Sequence, residues 1–543
     1  MPALAQPDPP HLPHLSLDGL LRRAAERAPD APAIRVGART LTFGELDARA
    51  DRIAAFLECS VGRRGARVGV AGTLDADFAA AYYGTVRSGN TVVLLNPLVS
   101  PTRLAKVLAS AGAELAFVPR ATAGLLADAD GRPPCLSLVL VTGAGAGDGN
   151  EAVPGDTVPL DLVLDAVAAA TRRAAPGEPA AFDPGAEVCV QFTTGTTARP
   201  KGVRLTHRNL VANAAQTAAA HRLDAGSVTL NHLPLYLPMH LNSAVYAGAC
   251  QVLCPDPEPL ASLALAESTG ATHYYGLPAR LHRLAADERL CGPDALPGVP
   301  AGPRLRAVLS GGSALSPDAA RILGERLGVP VLQGYGLAEL SPLTHSQSPD
   351  RPVPGSVGTP VPGTGCRIVH PGTGVPLGPG ETGEVQVRGP QLMAGYLDES
   401  GPPADPDGWF STGDVGRIGP GGELFLIDRL GDVFLHDGEL VSPSAVERIL
   451  GSDPRVAECA VVGWPDAVHG SVTWAGIVLR DGAAAGPAVL EEIAARANTR
   501  LAPYERIRRV EAIDAVPRTP VGKPVRGELR RTVRTRAAAE AAA

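Results

Sequence analysis

Ten residues concentrate the chemistry of this chain. Thr193–Gly202 reads TTGTTARPKG and packs hydroxyls, glycines and one lysine into a single stretch. Glycine lets a backbone approach an anion closely, and successive N–H groups and hydroxyls then wrap a polyphosphate. Lys201 offsets phosphate charge. The spacing is not G-x-x-x-x-G-K-[ST], so this is no Walker loop. Pro200 also disfavours a direct strand–loop–helix cradle, because the residue before a proline avoids the helical region. The plain alternative is an ordinary surface loop.

The elements that must position this loop follow from the apolar pattern. Arg67–Ala71 (RVGVA), Thr91–Leu95 (TVVLL) and Leu138–Thr142 (LVLVT) read as buried strands, and Leu46–Leu57 and Pro101–Ala111 as helices. Such alternation points to βαβ units on a parallel sheet. Gly143–Pro159 is expected to be a surface loop. Further on, Val228–Leu233 and Thr272–Tyr275 are strand candidates. Leu305–Leu309 runs into Ser310-Gly311-Gly312-Ser313, then a helix capped by Ser316 with Pro317 at its first position. Val329–Leu332 runs into Gly334-Tyr335-Gly336. Ligands of open α/β sheets bind beyond the carboxyl ends of strands, so two glycine-rich exits mark a pocket floor. From Ser356 short runs (Cys366–Val369, Gly383–Val387, Leu424–Ile427) suggest a small β-barrel or distorted sheet. Val446–Leu450 and Leu490–Leu501 read as helices, and Val456–Val462 and Val472–Leu479 as strands, of a compact α+β unit.

Bulk composition excludes several classes. The 543 residues call for several domains or one large multi-lobed one. A net charge of −7 without a long basic block argues against nucleic acid as the main partner. The basic run Arg526–Arg536 reads as a solvated helix face. Eight cysteines (Cys59, Cys135, Cys189, Cys250, Cys254, Cys291, Cys366, Cys459) form no CxxC pair and no zinc spacing, so buried free thiols are expected. The N-terminus lacks a basic region followed by an apolar core, and no stretch reaches 18 apolar residues. A cytoplasmic protein without a membrane span is the expectation.

Five motifs in order resemble the adenylate-forming superfamily of acyl-CoA synthetases, aryl-CoA (4-coumarate-CoA-like) ligases, carrier-loading adenylation domains and luciferases. They are TTGTTARPKG (Thr193–Gly202), SGGSALS (Ser310–Ser316), QGYGLAE (Gln333–Glu339), WFSTGD (Trp409–Asp414) and PRTPVGK (Pro517–Lys523). The likeness covers about Leu41 to Arg530. It implies an α/β fold: a large N-terminal adenylation domain (1–428) of parallel-type α/β subdomains plus a small β-barrel, and a small mobile α+β C-terminal domain (429–543). It also implies ATP and Mg²⁺, with CoA as co-substrate.

Adenylation joins a carboxylate to the α-phosphate of ATP and expels pyrophosphate, so two anions must meet among cations and oriented dipoles. By the resemblance, Thr193, Thr194, Gly195, Thr196, Thr197 and Lys201 hold the outer phosphates, with Thr194 placed among the catalytic residues. Glu339 holds Mg²⁺, a hard cation that prefers oxygen ligands. Tyr335 stacks on adenine, framed by Gly312, Ser313, Gly334 and Gly336. Asp414 accepts from the ribose hydroxyls, Arg429 positions the ribose at the hinge, and Lys523 reaches the carboxylate and α-phosphate. Taken singly, Glu339, Asp414 and Lys523 read equally well as a helix-start residue, a turn residue and a surface lysine. Their order and spacing favour the joint reading.

The acyl pocket is expected from His240, Asn242, Ser243, Tyr246, Tyr275, Gly311, Gly312, Gly336, Ser341 and Leu343. That lining is polar for a fatty-acid tunnel and favours a small or aromatic acid. Departures from the family pattern are Ala198 for glycine, Ala338 for threonine, Leu237 for an aromatic or His, and Gly431 at the hinge. Gly438 keeps the small residue beside a pantetheine channel. The leading function is an ATP-dependent acyl- or aryl-CoA ligase. Alternatives pass the activated group to a carrier-protein thiol or an amine, including activation of an oxyanion such as nitrite. An alternative of another class is a non-catalytic nucleotide-binding interaction protein. Assembly as a homodimer is left open.

Overall fold

Runs such as Thr91–Leu95 contain no polar alternation because both faces of the sheets they join are covered, as parallel sheets require. In the computed structural model the described residues are 4–5, 15–127, 132–143, 157–171, 182–193, 201–233, 237–291, 304–480, 486–518 and 525–542. Two compact units are distinguishable: Pro2–Cys366 with Val387–Phe410, and Arg367–Gln386 with Ser411–Ala543.

The larger unit contains two mixed sheets. One has eight strands, in the order Gly395–Tyr396, Gly202–Thr206, Glu187–Phe192, Thr91–Leu95, Arg67–Ala71, Leu115–Pro119, Leu138–Thr142 and Thr157–Pro159. From Glu187–Phe192 to Thr157–Pro159 every pairing is parallel. Thr157–Pro159 was expected within a surface loop; instead it adds an edge strand, and its proline sits where an edge tolerates a missing N–H. The second sheet has nine strands, in the order Thr359–Pro360, Leu343–Ser346, Val331–Gly336, Ala307–Ser310, His273–Gly276, Val228–His232, Cys250–Leu253, Pro32–Val36 and Arg39–Thr42. Both glycine-rich exits belong to its parallel centre.

Helix boundaries follow local chemistry. Thr42 and Glu45 form a capping box before Phe43–Val61, which ends on left-handed Gly62. Ser316 accepts from the Ala319 N–H with Pro317 behind it. A Cβ on Gly84 would lie 2.7 Å from Ile53, so the helices Phe43–Val61 and Ala76–Arg87 pack too closely for any other residue there.

Most residues of the strands Gly365–Val369, Gly383–Arg388, Phe410–Ile418 and Leu424–Arg429, neighbours in one sheet, fall in the smaller unit. Beyond it, Glu439–Val441, Phe434–His436, Gly470–Leu479 and Val456–Asp466 form a second sheet, with Ile507–Ala512 parallel to Gly470–Leu479. Its core packs Val446, Leu450, Val461, Ile477, Leu490 and Ile493. Two expectations need correction. Cys59 is exposed rather than buried. Arg526, read as part of a solvated face, is only 11% exposed and ion-paired, because three carboxylates surround it. No helix among the described residues is long and apolar enough to cross a membrane.

Arg49 joins three helices of the larger unit. Its Nη2 lies 2.7 Å from both Asp77 and Asp161, and Arg49 and Asp77 are nearly inaccessible. Burial lowers the basicity of the guanidinium, but the two carboxylates outweigh that effect and leave it raised. Removing one partner strands a buried charge, so Arg49→Ala should lose about 3–5 kcal/mol in denaturant unfolding. The loss should shrink in an Asp77→Ala background; strictly additive losses would contradict the pairing.

Candidate active site

The strands Glu187–Phe192 and Gly202–Thr206 form an antiparallel hairpin, with Gly202 opposite Phe192. The ladder continues one step, as the Thr193 N–H donates to the Lys201 carbonyl at 3.0 Å. Thr194, Gly195, Thr196 and Thr197 lie outside the described residues. On the far edge of the hairpin, Tyr396 pairs with Val203. Lys201 Nζ stands 4.6 Å from the centre of the Tyr396 ring and 2.7 Å from the Glu399 carboxylate. The Tyr396 hydroxyl donates to Glu339 Oε1 at 3.0 Å. A cation and a carboxylate, 138 positions apart by the numbering of Lys201 and Glu339, thus meet across one phenol. Burial and the Glu339 and Glu399 carboxylates push the phenol far above its usual pKa, so it stays a neutral donor.

Glu339 rides on the single 3₁₀ turn Ala338–Leu340 after the strand Val331–Gly336. The Leu337 N–H donates to the Pro342 carbonyl at 3.0 Å, which folds the chain back on itself. A Cβ on Gly336 would fall 1.9 Å from that carbonyl oxygen, so glycine is obligatory. Ser341 takes φ 71° and donates to the Gln391 carbonyl at 2.8 Å. Beside this turn the two glycine-rich exits meet: a Cβ on Gly311 would lie 3.7 Å from the Gly334 carbonyl, and Leu343 backs Gly334. Gly312 has φ +86°, and Ser313 is exposed. The Tyr335 ring is 5.8 Å from the His345 ring.

The expected acyl-pocket residues divide by helix face. His240 and Ser243, three apart on Pro238–Ala247, share one face, while Asn242 and Tyr246 share another. The His240 ring lies 4.4 Å from Tyr275, whose hydroxyl contacts His221 Nδ1 at 2.9 Å. Among the described residues, His240 Nδ1 is buried without a hydrogen-bond partner. Asn242 instead accepts from the Tyr83 hydroxyl at 2.9 Å and donates to the Tyr82 hydroxyl at 3.2 Å. The Tyr246 ring is 5.8 Å from the Arg23 guanidinium.

In the smaller unit Asp414 and Arg429 are cross-strand partners, with Arg429 Nε 2.8 Å from Asp414 Oδ1. Asp414 is buried, and its N–H donates to Thr412 Oγ1 at 3.1 Å. Among the described residues, no atom approaches within 4 Å of a Cβ on Gly431 or Gly438. Lys523 lies outside the described residues. On either side of those residues the Val525 N–H donates to the Pro517 carbonyl at 2.8 Å. The next residue, Arg526, forks onto Glu447 and also donates to Ser444 Oγ at 2.9 Å and Asp432 at 3.3 Å. Sequence reading missed Tyr396 and Arg526. The signal for Tyr396 was a Gly-Tyr pair in MAGYL; that for Arg526 was its place three residues after Lys523.

Comparison with known proteins follows this geometry. Residues 21–397 match the AMP-binding enzyme family and residues 445–523 the AMP-binding enzyme C-terminal domain. The chain is 31% identical to 4-coumarate–CoA ligase 5 of Oryza sativa subsp. japonica, over 98% of this chain and 96% of that one. It is 33% identical to the salicyl-AMP ligase / salicyl-S-ArCP synthetase of Mycobacterium tuberculosis, over 94% and 89%. Its fold matches the o-succinylbenzoate coenzyme A synthetase of Bacillus subtilis in complex with ATP and magnesium ion, with a TM-score of 0.76, 25% identity and coverage of 94% and 99%.

Burial holds His221, His240 and His345 down to about 3, with neighbouring histidines adding to the effect at His221. They are neutral when folded and take up protons near 6.5 when unfolded. Stability is therefore full above pH 6.5 and declines as pH falls toward 3. At pH 5 the loss is about 1–2 kcal/mol for each such residue. The urea midpoint should drop between pH 7.5 and 5.0, and His240→Leu should flatten the slope. An unchanged midpoint in the wild type would contradict this burial.

Proposed function

The chain belongs to the AMP-binding enzyme family, and we propose that it uses ATP to activate a small or aromatic carboxylic acid as an acyl-AMP and then forms the CoA thioester. The observation that carries this reading is the Lys201–Tyr396–Glu339 cluster, which holds a cation and a carboxylate at the mouth of the hairpin loop. The o-succinylbenzoate coenzyme A synthetase named above is described with ATP and magnesium ion, which supports the same nucleotide here.

In the first half-reaction a carboxylate oxygen of the acid attacks the α-phosphorus and the bond to pyrophosphate breaks. Lys201 and the threonines of the loop hold the departing phosphates. Tyr396 orients Glu339 by donating to one carboxylate oxygen, leaving the other to a hard cation. That oxygen donor suits Mg²⁺, which when bound would neutralise charge on the phosphate oxygens. Tyr335 would stack on adenine. Asp414 would accept from the ribose, with Arg429 beside it. Lys523 would reach the carboxylate and α-phosphate as charge builds. In the second half-reaction the CoA thiol attacks the acyl carbon and AMP leaves. Residues 429–543 would turn at Gly431, where no side chain among the described residues obstructs the backbone, and Gly438 would border the pantetheine.

His240 and Tyr275 favour an acid with an aromatic ring or a polar substituent, because the neutral imidazole retains an uncommitted Nδ1. A carrier-protein thiol as acceptor is the second reading, supported by the likeness to the salicyl-S-ArCP synthetase.

A panel of benzoates, cinnamates and short dicarboxylates, assayed for pyrophosphate release with and without CoA, tests the proposal. AMP release and thioester formation should both require CoA. Pyrophosphate without any thioester would sink the CoA reading. Lys523→Ala should lower pyrophosphate exchange by about 10²–10³, the scale for losing one transition-state donor. Tyr396→Phe should lower it by about 10-fold, the lower end for a hydrogen bond to a charged group. Unchanged exchange in Tyr396→Phe would remove the phenol from the site.

A further inference from the structure

Two turns of the smaller unit bring together three ligand-type side chains that the proposed adenylation chemistry does not use. The strand Phe434–His436 meets Gly470–Leu479 through the pair His436 and Gly470. His436 is buried, and its Nδ1 donates to the Ser471 carbonyl at 2.8 Å. A carbonyl oxygen only accepts, so Nδ1 carries a proton, and the neutral form of the ring presents its lone pair at Nε2. That atom lies 3.7 Å from Asp437 Oδ2, beyond hydrogen-bond distance. His469 Nδ1 lies 2.9 Å from both oxygens of the same carboxylate. One ligand atom from each of His436, Asp437 and His469 lies within 4.8 Å of the other two.

The backbone holds this arrangement. The Asp437 N–H donates to the His469 carbonyl at 3.2 Å, and the Ser471 N–H to the same oxygen at 2.8 Å. Asp466 accepts from the His469 N–H at 2.9 Å. A hydrogen bond alone accounts for His469 and Asp437. It does not account for a buried second imidazole, fixed in the ligand-ready tautomer by a backbone carbonyl and facing the same carboxylate. Orientation of one ring nitrogen by a carbonyl is the usual support for a metal-binding histidine.

We propose that His436, Asp437 and His469 bind one divalent transition-metal ion of the zinc class, with the remaining coordination position open to water or an added ligand. Two imidazoles and one carboxylate suit zinc, cobalt, nickel or copper and not magnesium. Bonds of about 2.0–2.2 Å space tetrahedral ligands roughly 3.3–3.6 Å apart. The separations of 2.9 and 3.7 Å to Asp437 bracket that range. His469, whose side chain is 41% exposed, has room to turn and close the third side.

Titration of the full-length protein with Co²⁺, read by its visible spectrum, should give one equivalent bound in a tetrahedral environment without a thiolate charge-transfer band. Zn²⁺ should displace it, and Mg²⁺ at the same concentration should not. His469→Ala, at a half-buried position, and Asp437→Asn, at an exposed one, should each weaken binding at least about 10-fold, the scale for damaging a metal site. Pyrophosphate release with Mg²⁺ should be unchanged in His469→Ala, which separates this site from the adenylation reading. Zn²⁺ should also slow hydrogen exchange at 436–439 and 468–471 in the wild type only. Wild-type affinity retained in His469→Ala, a thiolate band pointing to exposed Cys59, or displacement by Mg²⁺ would each overturn the assignment.

Discussion

A neutral phenol held between opposite charges sets the geometry of the larger unit's site. Tyr396 touches the Lys201 ammonium with its ring and the Glu339 carboxylate with its hydroxyl. Each contact depends on a different part of the fold. The ring contact needs the hairpin Glu187–Thr206 to stay paired as far as Lys201, and the hydroxyl contact needs the chain to turn sharply after Gly336. A two-residue strand, Gly395–Tyr396, unites them by adding to the hairpin's outer edge. Its tyrosine is the side chain that touches both the cation and the carboxylate. Fixed spacing matters for a reaction between anions, since groups already oriented need no reorganisation as charge develops.

The turn that presents Glu339 carries backbone tension. Ser341 sits at positive φ although it is not glycine, and its hydroxyl is tied to the Gln391 carbonyl. Gly336 lies so close to the Pro342 carbonyl that no side chain fits. Residues in such conformations persist only where their surroundings over-determine them, and they gather at functional sites. Here the surroundings are explicit: the Met393 N–H donates to the Glu339 carbonyl at 2.9 Å, and Asn213 donates to the Leu343 carbonyl at 2.8 Å. The carboxylate is aimed by the main chain first and by Tyr396 second.

What was legible in the sequence was local. Parallel strands announced themselves as unbroken apolar runs, and Ser316-Pro317 announced a helix start, because a few adjacent residues decide such features. The two glycine-rich exits were legible for the same reason. Tyr396 was not, because its importance arises only when a strand near residue 395 pairs with one near 203. The division of the acyl-pocket residues was half legible. Helical period separates His240 and Ser243 from Asn242 and Tyr246, yet only the packing of Tyr82 and Tyr83 against Asn242 settles which face meets Tyr275. Arg526 was hidden by its company, since a run of arginines reads as solvated until three carboxylates from distant positions converge on one of them.

That convergence bears on the turn proposed at Gly431. Arg526 lies three residues after Lys523, and its tightest partner, Glu447, lies on the helix Pro443–Leu450. Asp432, after the proposed hinge, is 3.3 Å away, whereas Asp428, before it, is 3.7 Å away. Asp428 is held separately, by the Ser442 hydroxyl at 3.0 Å and the Ser444 N–H at 2.9 Å. A rotation at 429–431 therefore leaves the Arg526 fork on Glu447 and Asp432 intact and exchanges the bonds of Asp428 for water. A bond to a buried charged group contributes about 1.5–3 kcal/mol, so those contacts form a latch of moderate strength. For a turn at Gly431 as proposed, the two bonds held by Asp428 are the ones that must break first.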